Sequence, residues 1–156
     1  SHDTRGALMS DDFDLSAFRT RSPTRFTLTM AVRYGDLDPN GHVNHMLYLA
    51  FLEECRLAHR RDLDMRLQMD EKLGWPVGGL NIRYIASLTY PGDAVIESAP
   101  IKIGRTSFTL GYGIYRGDTV MALAFSQTVC IDNRLGRSVP LPDAVVQDLT
   151  EEMARA

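Results

Sequence analysis

Cysteine is scarce in this chain: Cys55 and Cys130 are the only two in 156 residues. Neither has a C-x-x-C partner, which excludes a cysteine zinc site and a disulfide framework. Two reduced thiols, packed as small apolar groups in a cytoplasmic protein, are the expectation. Long apolar runs are missing as well. The longest, Met46 to Leu52, is seven residues, against the roughly 20 that a membrane-spanning helix needs. Nor is charge of one sign in excess. With 17 basic and 20 acidic side chains the net charge is −3, so the chain carries no electrostatic footprint for nucleic acid. The N-terminus has no basic stretch followed by an apolar one, and no secretory signal is expected.

What is there suits one globular domain: 44% hydrophobic and 24% charged residues, and enough length to bury a full core. No internal repeat, low-complexity tract or linker divides it. The opening Ser1-His2 resembles the scar of a cleaved tag. Residues 1–24 read as a polar arm with one helical turn around Leu15 to Phe18, and residues 25–156 as the domain.

Apolar residues alternate at Phe26, Leu28, Met30, Val32 and Tyr34, the period of a half-buried strand. A polar loop from Gly35 to Gly41 follows. Asn44 is a plausible N-cap for a helix that opens on the Met46–Leu52 run and continues through the helix formers Glu53 to Ala58. A helix apolar on all sides of its first two turns must be surrounded by protein. Four strands come next, around Leu80–Ala86, Ala94–Ile103, Phe108–Ile114 and Thr119–Ile131. Pro100 marks a bulge or edge, and Arg116-Gly117-Asp118 marks a hairpin. Pro142 opens a C-terminal helix. The turns are of hairpin length, so a meander is expected, curved around the one long helix. An open edge strand in such a sheet is most simply satisfied by a second copy.

The loop Asp36, Asp38, Asn40, His42, Asn44, His45 is the densest polar cluster in the chain. Asp36 to Gly41 matches the opening D-x-D-x-N-G of a calcium loop. The twelfth position, which should supply a bidentate glutamate, is Leu47. His42 and His45 have no clear local third ligand for zinc. No metal is therefore expected. The structural alternative is that these residues cap the helix and shape the turn, Asp36 through an Asx-turn. The chemical alternative is acyl transfer to water. There, unpaired N–H groups near His45 and Met46 would hold an oxyanion, and a nearby carboxylate would act as nucleophile or general base.

The stretch Tyr34-Gly35-Asp36-Leu37-Asp38-Pro39-Asn40-Gly41-His42-Val43-Asn44-His45-Met46-Leu47-Tyr48 resembles the signature loop of the hotdog-fold thioesterases. It is similar both to 4-hydroxybenzoyl-CoA-type acyl-CoA thioesterases and to acyl-ACP thioesterases. The resemblance implies an α+β hotdog fold, an antiparallel curved sheet of about five strands wrapped around one long buried helix. It implies hydrolysis of acyl-CoA by a homodimer or homotetramer needing no cofactor. In the CoA-type pattern the catalytic carboxylate falls on Asp38, the helix-start N–H on His45, and a frequently acidic helix position on Glu53. The acyl-ACP pattern adds Asn40 and His42 as catalytic helpers. Gly104-Arg105-Thr106-Ser107-Phe108 looks like the start of the strand that lies along CoA. Arg105, Thr106 and Ser107 would bind substrate there, with Lys102 or Arg83 assisting at the phosphates. A non-catalytic acyl-CoA-binding protein and a hotdog dehydratase stay open as alternatives.

Overall fold

The computed structural model describes residues 13–156; the first twelve residues of the expected arm, Ser1-His2 among them, lie outside the described residues. Five strands form one antiparallel sheet: β1 (Phe26–Ala31), β3 (Val77–Tyr84), β4 (Asp93–Ile103), β5 (Ser107–Arg116) and β6 (Thr119–Val129), in the order β1-β4-β5-β6-β3. A small sheet joins β2 (Leu73–Gly74), β7 (Ile131–Asp132) and β8 (Arg137–Ser138). The long helix α1 (His45–Leu67) lies on the large sheet, and α2 (Asp143–Arg155) packs beside it. This is the hotdog arrangement that the loop resemblance implied.

Alternation fixes what faces the helix. On β5, Phe108, Leu110, Tyr112 and Ile114 are buried beneath α1, and Ala122, Ala124, Ser126 and Thr128 continue that face on β6. The helix answers with Tyr48, Phe51, Leu52, Cys55, His59 and Leu63, spaced three and four residues apart. The opposite sheet face carries a second, smaller cluster. There a 3-10 turn (Ser16–Arg19) sets Phe18 against Ala99 and Leu123. A Cβ at Gly111 would stand 2.7 Å from the Phe18 ring, so this close approach needs glycine. Below the turn the buried Glu97 accepts from Arg21 at 2.9 Å and Arg25 at 3.1 Å, tying the arm to the sheet.

The sequence expectations need correction at four places. The first strand stops at Ala31, not Tyr34. Asp36 accepts from the Arg33 N–H at 2.8 Å and winds Tyr34–Asp36 into a 3-10 turn instead. The last strand ends at Val129, two residues short of Ile131, which belongs to β7 in the small sheet. The meander covers β4, β5 and β6 alone, because β3 pairs with β6 across the sheet and leaves β4 to β1. The connection after β3 crosses under the polar loop, where Leu88 is buried and its carbonyl accepts from Val43 at 3.0 Å. Finally, α1 is not surrounded within one chain: Met46 is 58% exposed, and Ala50 and Leu57 are exposed with it.

Candidate active site

The polar loop is built like a small clamp. Leu37 and Val43 form an isolated antiparallel bridge, and His42 bridges Thr89 in the same way. Between them the chain reverses at Gly41, whose φ of 79° belongs to the left-handed region. The Asp38 N–H donates to the His42 carbonyl at 2.7 Å, and the Gly41 N–H donates to the Asp38 carbonyl at 3.0 Å. The Asp38 side chain closes the turn on itself: Oδ1 accepts from the Asn40 N–H at 2.9 Å and from the His42 N–H at 3.1 Å. One carboxylate oxygen is thus held by backbone while the half-exposed side chain faces outwards.

Asp36, two residues earlier, has a different role. It is buried, and its carboxylate takes the Arg33 N–H and guanidinium, while its carbonyl accepts from Asn44. The two carboxylates of the calcium-like stretch therefore serve separate partners.

The helix start sits directly beyond this clamp. Asn44 caps α1, its Oδ1 accepting from the Met46 N–H at 3.0 Å. The Asn44 carbonyl accepts from the Leu47 N–H at 2.8 Å. Of the two N–H groups expected to be open, Met46 is therefore taken by the cap. The His45 N–H donates to no acceptor among the described residues. It stands at the positive end of a 23-residue helix. Tyr84, at the end of β3, donates its hydroxyl to the His45 carbonyl at 3.0 Å and sets its ring edge-on to the His45 imidazole. Tyr48 pins the same region from below, donating to the Ala86 carbonyl and accepting from the Leu88 N–H at 2.8 Å. Burial pushes the Tyr48 phenol up, partly offset by the Leu88 bond and the Arg116 charge.

The other residues singled out in the sequence lie apart. The Asn40, His42 and His45 side chains are exposed at the loop. Glu53 is 60% exposed, 3.7 Å from Arg56, and eight residues along α1 puts it roughly 12 Å from the helix start. Arg105, Thr106 and Ser107 lie in the β4–β5 hairpin, at the far end of β4 from Asp93. The Asp38 loop is joined to the Asp93 end through Thr89 and Gly92, so a strand of 11 residues separates the two, on the order of 33 Å. Within one chain the fold does not bring the hairpin to Asp38. Arg83 lies on β3, exposed.

Reading the sequence missed three features. Tyr84 could not be linked to His45, since nothing local connects a strand end to a helix start 39 residues away. Arg56 follows Glu53 by one turn of α1, a spacing that sets the two side chains on one face of the helix. Ser126 and Thr128 interrupt the buried stripe of β6, and its period of two would have exposed them.

A long helix lying on an antiparallel five-stranded sheet in this order is the architecture of the hotdog thioesterases. The chain belongs to the thioesterase-like superfamily, whose family model matches residues 32–149. It is similar to "Putative acyl-CoA thioesterase YneP" of Bacillus subtilis (strain 168), 33% identical over 104 residues that cover 65% of this chain and 75% of that one. It is also similar to the 1,4-dihydroxy-2-naphthoyl-CoA hydrolase of Nostoc punctiforme (strain ATCC 29133 / PCC 73102), 26% identical over 129 residues, 78% and 84% of the two chains. Among solved structures the PA2801 protein of Pseudomonas aeruginosa superposes with a TM-score of 0.71 at 28% identity, covering 79% of this chain and 96% of that one. As a member of this family the chain is an enzyme that hydrolyses thioesters.

Proposed function

We propose that the chain hydrolyses acyl-CoA thioesters to the free acid and CoA, with Asp38 as the catalytic carboxylate and the His45 N–H as oxyanion donor. The observation that carries this reading is the open N–H of His45 at the helix start, next to a carboxylate whose one oxygen is already fixed by two backbone bonds. A thioester carbonyl seated on that N–H gains a preorganised partner for the negative charge that develops on its oxygen. Asp38 then takes a proton from a water that attacks the carbonyl carbon and expels the CoA thiolate. Alternatively it attacks that carbon itself, expelling the thiolate and forming a mixed anhydride that water hydrolyses to the free acid and regenerated Asp38. Asn40 and His42 support Asp38 through their backbone N–H groups, and their exposed side chains remain available to substrate or water. No cofactor is needed for these steps.

The working unit in this reading is a pair of copies joined along β3. That strand is an edge of the large sheet, and Val77, Leu80, Tyr84 and Ile85 beside it are exposed together with Met46 and Leu57 of α1. Two-fold pairing of identical edges is antiparallel. It sets the Tyr84 end of one copy, with its Asp38 loop, beside the Val77 end of the other. Arg105 of the second copy then comes to the same side as Asp38, where it can serve the CoA phosphates, with Lys102 or Arg83 in support.

The test is release of free thiol from short, long and aromatic acyl-CoAs by the wild type and by Asp38→Asn. The amide keeps an oxygen to accept from Asn40 and His42, so the turn survives while the negative charge goes. Turnover of some panel member that falls by about 100-fold or more in the variant supports the reading. Comparable rates in both proteins would remove Asp38 from the chemistry.

A further inference from the structure

A cavity of about 320 Å³ opens between α1, the Trp75–Val77 segment and Phe108, Leu110 and Thr128 of β5 and β6. On the β6 side it is lined by Thr128, a small side chain that leaves room a leucine or phenylalanine would fill. Leu57, Leu63, Trp75, Phe108 and Leu110 give it apolar walls. The polar groups are few and of one prevailing sign. Arg56 and Arg60 reach it from α1, against Glu53, which points mostly into water. His59 also lines the cavity, but both ring nitrogens are engaged, with Ser98 Oγ at 2.8 Å and Glu152 at 2.7 Å.

Two of the polar groups keep hydrogen-bonding capacity to spare. The Arg56 side chain is only 16% exposed, yet its ion pair with Glu53 is a loose 3.7 Å. It also interacts with the Tyr112 hydroxyl through its charge and a side-chain hydrogen bond, and that hydroxyl in turn bonds Ser126 Oγ at 2.6 Å. A guanidinium has five donors, so further ones remain for a ligand. Thr128 is 4% exposed and lines the cavity, and its Oγ1 has no hydrogen-bond partner among the described residues. A guanidinium with five donors and a buried unpaired hydroxyl, set in apolar walls, match an oxygen-bearing anion at the end of an apolar chain.

We infer that this cavity receives the far end of the acyl group, and that the preferred acyl group ends in a carboxylate held by Arg56 and Thr128. The inference rests on the thioesterase reading and names its substrate class: half-thioesters of dicarboxylic acids. The geometry fits the paired copies. In one chain Glu53 at the near rim of the cavity lies roughly 12 Å along α1 from the helix start, and Val77 at the far rim lies seven residues along β3 from Tyr84, roughly 23 Å. Antiparallel pairing of the edges brings the far rim of one copy towards the Asp38 loop of the other.

The experiment measures binding and hydrolysis separately. Binding uses thioether analogues of CoA that cannot be cleaved, one with an octyl tail, one with a 7-carboxyheptyl tail and one with an 8-hydroxyoctyl tail, by titration calorimetry. The wild type binds the carboxylate tail at least about tenfold more tightly than the methyl-ended one. Arg56→Gln loses that preference, Arg56→Lys keeps part of it, and Thr128→Val lowers it several-fold. Should Arg56→Gln not fold, Arg56→Lys and Thr128→Val carry the comparison. Equal affinities in the wild type, a preference unchanged by these substitutions, or a hydroxyl tail bound as well as the carboxylate would each overturn the inference. Thiol release from the matching thioesters is read alongside. Hydrolysis without tail preference defeats this inference alone. Tail preference without any hydrolysis defeats the thioesterase reading and leaves the cavity assignment standing.

Discussion

Asp36 and Asp38 stand two residues apart in the same loop and make different contacts, which makes them a sharp test of what a side chain is for. The buried Asp36 carboxylate takes the Arg33 N–H at 2.8 Å and its guanidinium, and shapes the 3-10 turn. Removing it with Asp36→Ala leaves a buried backbone donor unpaired. The fold should lose about 1–2 kcal/mol, read as a lower denaturant midpoint at unchanged slope. Asp38→Asn keeps its turn bonds, so the expectation is a midpoint near wild type with turnover gone. Stability lost at Asp38 and kept at Asp36 would invert the assignment. Cysteine gives a second expectation at this scale. Burial pushes the Cys55 thiol up to about 11, and Cys130 is also raised by burial. Both shifts disfavour the thiolate in the native protein, and both side chains are buried. A thiol reagent should therefore react with neither side chain until denaturant is added, and then with both; rapid native labelling of Cys55 would contradict its burial.

The seam between the two helices is where the elements depend on one another. Arg66 of α1 grips Asp148 of α2, and His59 bonds Glu152. At Asp148 burial pushes the carboxyl up, but hydrogen bonds from Arg66 and Glu152 and the charges of Arg66 and Arg155 together outweigh it and hold the group below its ordinary value. A depressed carboxylate stabilises the fold above the unfolded value of about 3.9 and loses that contribution as pH falls through the folded value. Docking of α2 should therefore weaken below about pH 4, and Asp148→Asn should remove part of that acid-side slope, followed by far-UV dichroism against pH. Arg66 is 42% exposed, so high salt should shrink the difference. An acid transition identical in both proteins would exclude this seam as its source. The strands and the Asn44 cap were legible because they are local: alternation, a turn glycine and an Asx residue before an apolar run. The pairing of β3 with β6 was not, since Leu80 opposite Ser126 is a contact across 46 residues that no short pattern encodes. The candidate site divides the same way. Asp38 and His45 lie in one stretch and could be nominated together, whereas Arg56 and Thr128 meet only after the sheet has formed.

At the scale of the whole molecule the exposed face of α1 and the open edge of β3 are a single question. The apolar run from Met46 to Leu52 reads as a helix to be covered on all sides, yet one chain covers only the side that carries Tyr48, Phe51 and Leu52. The uncovered side adjoins β3, where Leu80 is 39% exposed in the middle of an eight-residue edge strand. Such an edge in isolation invites pairing with any other strand. A second copy answers both needs with one two-fold axis. A charge at the centre of that axis would face its own image, so Leu80→Lys sets two ammonium groups against each other in a surface being desolvated. The variant should sediment as a single chain at concentrations where the wild type is a dimer or larger. Its backbone should fold, because Leu80 is not part of the buried core. Its thiol release should fall with the dimer and not independently of it, since Asp38 and the cavity it uses then reside on separate molecules. Mixing offers the sharper form of the same test. Asp38→Asn and Arg56→Glu chains, exchanged at random, place one intact Asp38 opposite one intact cavity in half the pairs. On a carboxylate-ended thioester the mixture should regain about a quarter of wild-type turnover. No recovery, with exchange verified, would mean that each chain uses its own cavity or none.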